Sequence, residues 1–212
     1  MEKHFFTSDL HFGHANILKY YPKRLDLLSE DFVKDIEGFQ DYFIEYWNKT
    51  VNKQDHVYIL GDFSFKGIDE NRQILFRMNG HKHLIIGNHD SNSYRLVECF
   101  TSISQMKEVR FKKSNYDFLE EDIALILCHY PILSWNRKQY GSLMIHGHCH
   151  GTMDEFNKKS NDLRVDVGID SSFGNYRLLT VEDIYQYFKN KTNGAMFDEY
   201  VSDLDKSNRL LI

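Results

Sequence analysis

The chain has 212 residues, with 26 Lys plus Arg against 31 Asp plus Glu and a net charge of −5. That suits one compact domain and disfavours a protein that grips duplex nucleic acid mainly through a basic surface. Hydrophobic residues at 42% and aromatics at 15% exclude a disordered chain, and no apolar run approaches the ~18 residues a membrane span needs.

Lys3 to Ser8 reads as a strand ending at Asp9. Residues 30–48 place Phe32, Val33, Ile36, Phe39, Phe43, Ile44 and Trp47 at helical spacing, with Ser29 as N-cap. His56 to Leu60 is a buried-strand pattern that stops at Gly61-Asp62. Asp69 can cap a helix running to Met78, with Gly80 just past its end. Lys82 to Ile86 is a strand before Gly87-Asn88-His89-Asp90. Ser104 to Lys112 and Ile123 to Cys128 read as strands joined by a polar turn, followed by strands at Leu143 to His146 and Leu163 to Val167. Thr180 can cap a helix carrying Val181, Ile184, Tyr185 and Phe188, and a polar tail follows at about 191–212. Strands interleaved with helices, then mostly strands, predict a layered α/β protein with a mixed sheet or two packed sheets. The opening lacks a charged segment followed by an apolar one, and Cys99, Cys128 and Cys149 are odd in number and widely spaced. Both features predict a cytoplasmic, reducing location.

Histidine is over-used, at 11 residues. Five short segments follow predicted strands: Asp9-Leu10-His11, Gly61-Asp62, Gly87-Asn88-His89-Asp90, His129, and Gly147-His148-Cys149-His150. In extended backbone, residues i and i+2 point the same way. Asp9 and His11 can therefore face one site, as can His148 and His150, with Cys149 turned aside. Carboxylate, amide and imidazole donors without a required thiolate suit Mn²⁺, Fe, Zn²⁺, Co²⁺ or Ni²⁺ and not Ca²⁺. Seven candidate ligands are too many for one tetrahedral ion and fit two ions sharing a carboxylate.

This order of segments, spanning Asp9 to His150, closely resembles the calcineurin-like metallophosphoesterase superfamily, in its small single-domain branch. Asp166-Val-Gly-Ile-Asp170 also looks like the strand that follows in small members. The resemblance implies an α/β fold, a two-layered mixed β-sheet sandwich flanked by helices, over residues 1–212 as a single domain. It further implies two divalent transition-metal ions, Mn²⁺ foremost. Asp9, His11 and His150 would hold one ion, Asn88, His129 and His148 the other, and Asp62 would bridge. His89 would face the substrate as general acid, oriented and charge-stabilised by Asp90. The implied reaction is phosphoester hydrolysis by in-line attack of a metal-bridging hydroxide.

Little chain is left for a lid, and residues 12–30 and 91–103 form the expected rim. An open site favours a phosphodiester, with a nucleotide-like substrate among the options. The rivals are a phosphomonoesterase, a nuclease and a non-catalytic interaction scaffold on the same fold. The implied partner is a small phosphate ester, with nucleic acid not favoured and no membrane. His14, Asn16 and Arg24 are candidate substrate contacts, Arg24 as a phosphate clamp, and Tyr20 and Tyr21 lie where a substrate could touch them. His4, His56, His81 and His83, at strand starts, are expected to be structural, and His146 supporting at most. The aromatics of the 30–48 helix read as core.

Overall fold

Strand β1 (His4–Thr7) sends alternate side chains to opposite faces: Phe5 joins one buried cluster and Phe6 another. The computed structural model describes residues 2–191; residues 192–212, and with them nearly all of the expected polar tail, lie outside the described residues. Strands β2 (His56–Ile59), β3 (His81–Ile85) and β4 (Ser102–Ser104) extend the sheet in parallel beyond β1. The short β9 (Leu179–Thr180) closes its other edge antiparallel to β1. A second sheet runs β5-β6-β7-β8, from Met106–Phe111, Ile123–Cys128, Leu143–His146 and Arg164–Asp166, with only the β5–β6 pair antiparallel.

The two sheets face each other across Phe6, Tyr58, Leu60 and Ile85 on one side and Leu125, Leu127, Leu143, Ile145 and Val165 on the other. Helices α3 (Ile36–Thr50) and α4 (Ile68–Arg77) cover the outer face of the first sheet over Phe5, Val57, Ile59 and Leu84. The chain is therefore a two-layered mixed-sheet α/β sandwich flanked by helices. Two one-turn helices, α1 (Ile17–Tyr20) and α2 (Lys23–Asp26), occupy the expected rim segment. Helices α5 (Asp154–Lys159) and α6 (Val181–Lys191) complete the chain, and Val181, Ile184, Tyr185 and Phe188 of α6 join the inter-sheet core.

The capping of α6 is as expected: Thr180 Oγ1 accepts from Asp183 N at 3.1 Å while Asp183 Oδ2 accepts from Thr180 N at 2.8 Å. Three boundaries differ from the sequence reading. Helix α3 starts at Ile36, because Asp35 caps it by accepting from Gly38 N at 2.8 Å; Phe32 and Val33 lie before it. Helix α4 starts after Gly67, whose N–H donates to Glu70 Oε2 at 3.2 Å, so Asp69 is inside the helix rather than its cap. The single strand expected over Ser104 to Lys112 is two strands in different sheets, because the chain crosses between layers around Gln105.

Candidate metal centre

Every chemically marked segment leaves the end of a strand at one edge of the sandwich. Asp9 and His11 follow β1, Asp62 follows β2, Asn88 and His89 follow β3, His129 follows β6, and His148 and His150 follow β7. Five of these residues are not extended. Asp9, His11, Asp62, His148 and His150 have φ of 60°, 52°, 52°, 69° and 47°, the left-handed region that costs an L-residue energy and concentrates at functional sites. Left-handed turns, not strand alternation, therefore aim these side chains. Two motif glycines serve the same crowding: a β-carbon at Gly87 would strike Asp62 Oδ1, and one at Gly147 would strike the Ser8 hydroxyl.

The donors gather into two groups, Asp9 with His11 and His150, and Asp62 with His129 and His148. In each group the ligand atoms lie within 4.8 Å of one another. Asn88 adjoins the second, its Oδ1 2.9 Å from His129 Nε2. Asp62 stands between the groups, with Oδ2 3.6 Å from His11 Nε2 and Oδ1 3.6 Å from His129 Nε2. His148 and His150, two residues apart, go to different groups.

The electrostatics of the centre ask for positive charge. Asp9 is fully buried; burial, opposed by His150 and reinforced by Asp166 and Asp62, pushes its carboxyl up to about 8. Burial, with His150 next, pushes His11 down to about 2, so the ring is neutral, yet its Nε2 is buried without a hydrogen-bond partner. His129 Nδ1–H donates to the Leu60 carbonyl at 2.7 Å. In that tautomer Nε2 offers a lone pair, and it faces another acceptor, Asn88 Oδ1. Orphaned and opposed lone pairs beside a protonated buried carboxyl fit divalent first-row cations, which bind nitrogen and oxygen together. Cys149 belongs to neither donor group, and burial pushes its thiol up to about 11.

Behind the first group lies a support that the sequence reading missed. His150 Nδ1 donates to Asp170 Oδ2 at 2.7 Å, leaving Nε2 turned toward Asp9, 3.7 Å from its Oδ1. Burial acts to lower His150, but Asp170 and Asp9 together raise it. Asp170 is gripped in turn by Arg24, through Nε at 3.0 Å and Nη2 at 2.6 Å. The same guanidinium donates to the carbonyls of Leu10 at 2.7 Å and Asp9 at 2.9 Å, and lies 5.0 Å from the centre of the Phe39 ring. Burial works to raise Asp170, yet His150 and Arg24 hold it below the usual carboxylate range. Arg24 is 0% exposed; the expectation of a phosphate clamp is corrected, because every donor it has faces inward.

Asp90 also departs from expectation. Its carboxylate accepts from the amides of Asp62 at 2.8 Å, Phe63 at 3.1 Å and Gly87 at 2.8 Å. It pins the two loops after β2 and β3 and is not hydrogen-bonded to His89. The His89 ring belongs to neither donor group. Its side chain is 42% exposed, with Nε2 3.9 Å from Asp62 Oδ2, and its own amide donates to Asp62 Oδ1 at 2.9 Å.

His14 joins the rim, with Nδ1 3.4 Å from His11 Nδ1 and its ring stacked on Phe65 at 4.1 Å. Asn16 is exposed at the start of α1 and makes no side-chain cap. Tyr21 stacks on His150 at 5.0 Å, while Tyr20 points to solvent at 74% exposed. Two exposed aromatics were not anticipated here. Phe65 lies against His11, His14 and His89, and Tyr130 against His129 and His148. A single aromatic between Ser64 and Lys66, or between His129 and Pro131, carries little local signal. His146 is structural, buried between the Gly147 carbonyl and Asn157. His4, His56, His81 and His83 form a stack at the opposite ends of β1 to β3, as expected for structural residues.

The sequence profile of calcineurin-like phosphoesterases matches residues 3–203. The chain belongs to that family. It is 27% identical over 206 residues to the Gene 66 protein of Mycobacterium phage L5, covering 87% of this chain and 93% of the phage protein. It is 29% identical over 177 residues to an uncharacterised protein of Methanocaldococcus jannaschii, covering 80% and 84% of the two chains. A crystal structure of a protein of unknown function from Aquifex aeolicus superposes with a TM-score of 0.62 at 24% identity, covering 88% of this calcineurin-like chain and 100% of that one. This last likeness supports the fold alone.

Proposed function

We propose that this calcineurin-like phosphoesterase is a two-metal hydrolase acting on a phosphodiester, with a nucleotide-like substrate. The observation that carries the reading is Asp62, whose two carboxylate oxygens face separate donor groups at equal distances of 3.6 Å. Only a carboxylate offers both the charge and the two oxygens for that position. Asp9, His11 and His150 would hold one divalent cation, and Asn88, His129 and His148 the other. Cations bound there would supply charge to offset the phosphate and would acidify a water near neutral pH.

The chain's own residues supply the rest. Asp170 fixes the His150 tautomer and the Leu60 carbonyl fixes that of His129, so both present Nε2 to the centre. His89, free of both groups and open to solvent, gives its proton to the departing oxygen. In the balanced step, water delivers its oxygen to phosphorus and loses a proton to solvent, the bond from phosphorus to the leaving oxygen breaks, that oxygen takes the His89 proton, and solvent reprotonates His89. Asn88, His89 and His148 are all exposed, which leaves room for a second substituent on the phosphate and supports a diester. Three free cysteines, two of them buried, support the cytoplasm as the compartment. Mn²⁺ is the metal we favour, from the mixed nitrogen and oxygen donors.

The test is hydrolysis of bis(p-nitrophenyl) phosphate beside p-nitrophenyl phosphate, after Mn²⁺ loading confirmed by metal analysis. Faster diester turnover is expected. Faster monoester turnover overturns the diester assignment, and a protein loaded with two ions that hydrolyses neither overturns the hydrolase.

A further inference from the structure

Beside His89 a cleft of about 270 Å³ runs between the start of α4 and the 3₁₀ helix Ser93–Cys99. Phe63, Leu84, Leu96 and Phe100 wall it, and all four are at most 9% exposed. Phe65 stands at its mouth, 43% exposed and 4.5 Å from the centre of the His89 ring. Though packed against three histidine rings, this phenylalanine keeps exposed aromatic surface that a ligand ring can meet.

The polar lining is selective. Asn71 is 7% exposed. Its Nδ2 donates to the Lys66 carbonyl at 3.0 Å, which fixes the amide, and its Oδ1 is buried with no partner. A buried acceptor left unmatched in the native protein calls for an explanation, and a ligand N–H supplies one. Apart from His89 at its edge, the charged groups lining the cleft are already engaged: Lys66 Nζ pairs with Glu37 at 2.9 Å and Glu70 at 3.6 Å, and Asp90 holds three backbone amides. The cleft thus suits a neutral group.

We infer that this cleft is the leaving-group subsite, taking a neutral, flat, nitrogen-bearing ring of nucleobase size. Phe65 stacks on the ring and Asn71 Oδ1 accepts its N–H. The assignment rests on the hydrolase reading above, because His89 marks the side of the phosphate from which the leaving oxygen departs. It also gives that reading a specificity determinant outside the metal ligands.

Three methyl diesters of phosphate test it, with phenol, 2-naphthol or 5-hydroxyindole as the leaving group. The expected kcat/KM rises at least tenfold from phenyl to indolyl, and the indolyl ester exceeds the naphthyl one. Asn71→Leu should cut the indolyl-to-naphthyl ratio at least fivefold. Leu96→Trp, which fills the cleft, should cut the indolyl-to-phenyl ratio at least tenfold. A second readout needs no turnover: 5-hydroxyindole alone should shift the amide NMR signals of Phe65, Leu96 and Phe100 in the metal-free protein, and fail to do so in Leu96→Trp. Equal kcat/KM for all three esters, or unshifted signals, overturns the subsite and leaves the hydrolase intact. Absence of hydrolysis of every ester by fully loaded protein overturns the hydrolase, and the subsite assignment goes with it.

Discussion

Replacing Arg24 by Met tests whether this guanidinium supports the centre from beneath or touches substrate. The substitution keeps an unbranched apolar side chain of similar length but removes both bonds to Asp170, the donors to the Asp9 and Leu10 carbonyls and the cation over Phe39. Asp170, whose side chain is 0% exposed, would keep only His150 as a charged neighbour. Stranding one partner of a buried pair costs about 3–5 kcal/mol, a large share of the ~5–15 kcal/mol that holds a domain together. At ~2–4 °C per kcal/mol for a chain of this size, Tm should fall by about 6–20 °C. Calorimetry on the metal-free protein measures the shift. Adding Asp170→Asn removes the stranded charge, so the double variant should regain stability relative to Arg24→Met, and the two effects should be strongly non-additive. A Tm within 2 °C of the parent combined with a raised KM, both for Arg24→Met, would refute this account and restore the phosphate clamp.

Asp62→Asn should weaken metal binding by at least ~100-fold, beyond what outer partners usually contribute, with activity lost in parallel; retention of both ions by metal analysis contradicts the bridging role. His89→Ala should keep its metal yet lose ~10²–10⁴-fold in turnover, more for poor leaving groups than for activated aryl esters; a uniform loss across leaving groups argues against proton donation. Because Asp9 is held up at about 8 without metal, its proton must leave before a cation binds. Apparent metal affinity should therefore drop by up to ~10-fold per pH unit below about 8; calorimetry in buffers of different ionisation enthalpy reads the released proton, and a flat profile from pH 6 to 8 refutes it. His4 and His83 are both lowered to about 4, by burial first and by neighbouring histidines next, from an ordinary 6.5. The unfolded chain then binds more protons between those values, so this contribution is whole above pH 6.5 and is lost as pH falls toward 4. With partial exposure discounted, it is on the order of 1 kcal/mol per ring; urea titrations of metal-free parent and His4→Phe/His83→Leu protein at pH 7 and 4.5 measure it, and identical slopes against pH count against it.

Most strands were legible because their alternation serves two cores at once, as Phe5 and Phe6 show. The start of α3 was not, because Phe32 and Val33 continue an apolar spacing that Asp35 interrupts by capping. Nor could periodicity show that the run from Ser104 to Lys112 changes sheets. At the centre, the candidate donors could be picked out from segment order, and the structure gathers those side chains into two groups. Arg24 was misread as a phosphate clamp because its partner, Asp170, is 146 residues away. Asp90 was misread because adjacency to His89 suggests a contact that the backbone turn prevents. Phe65 gave no warning at all, since its exposure depends on three rings brought from elsewhere.

Neither donor group is complete within one layer of the sandwich. Asp9, His11, Asp62 and Asn88 come from loops of the first sheet, and His129, His148 and His150 from loops of the second. Cations seated there would act as rivets across the seam, beside the backbone bridge that joins Ser8 to Gly168. Loading is then coupled to folding by mass action, and the resilience of the whole sandwich would track the metal supply around it, quite apart from any turnover.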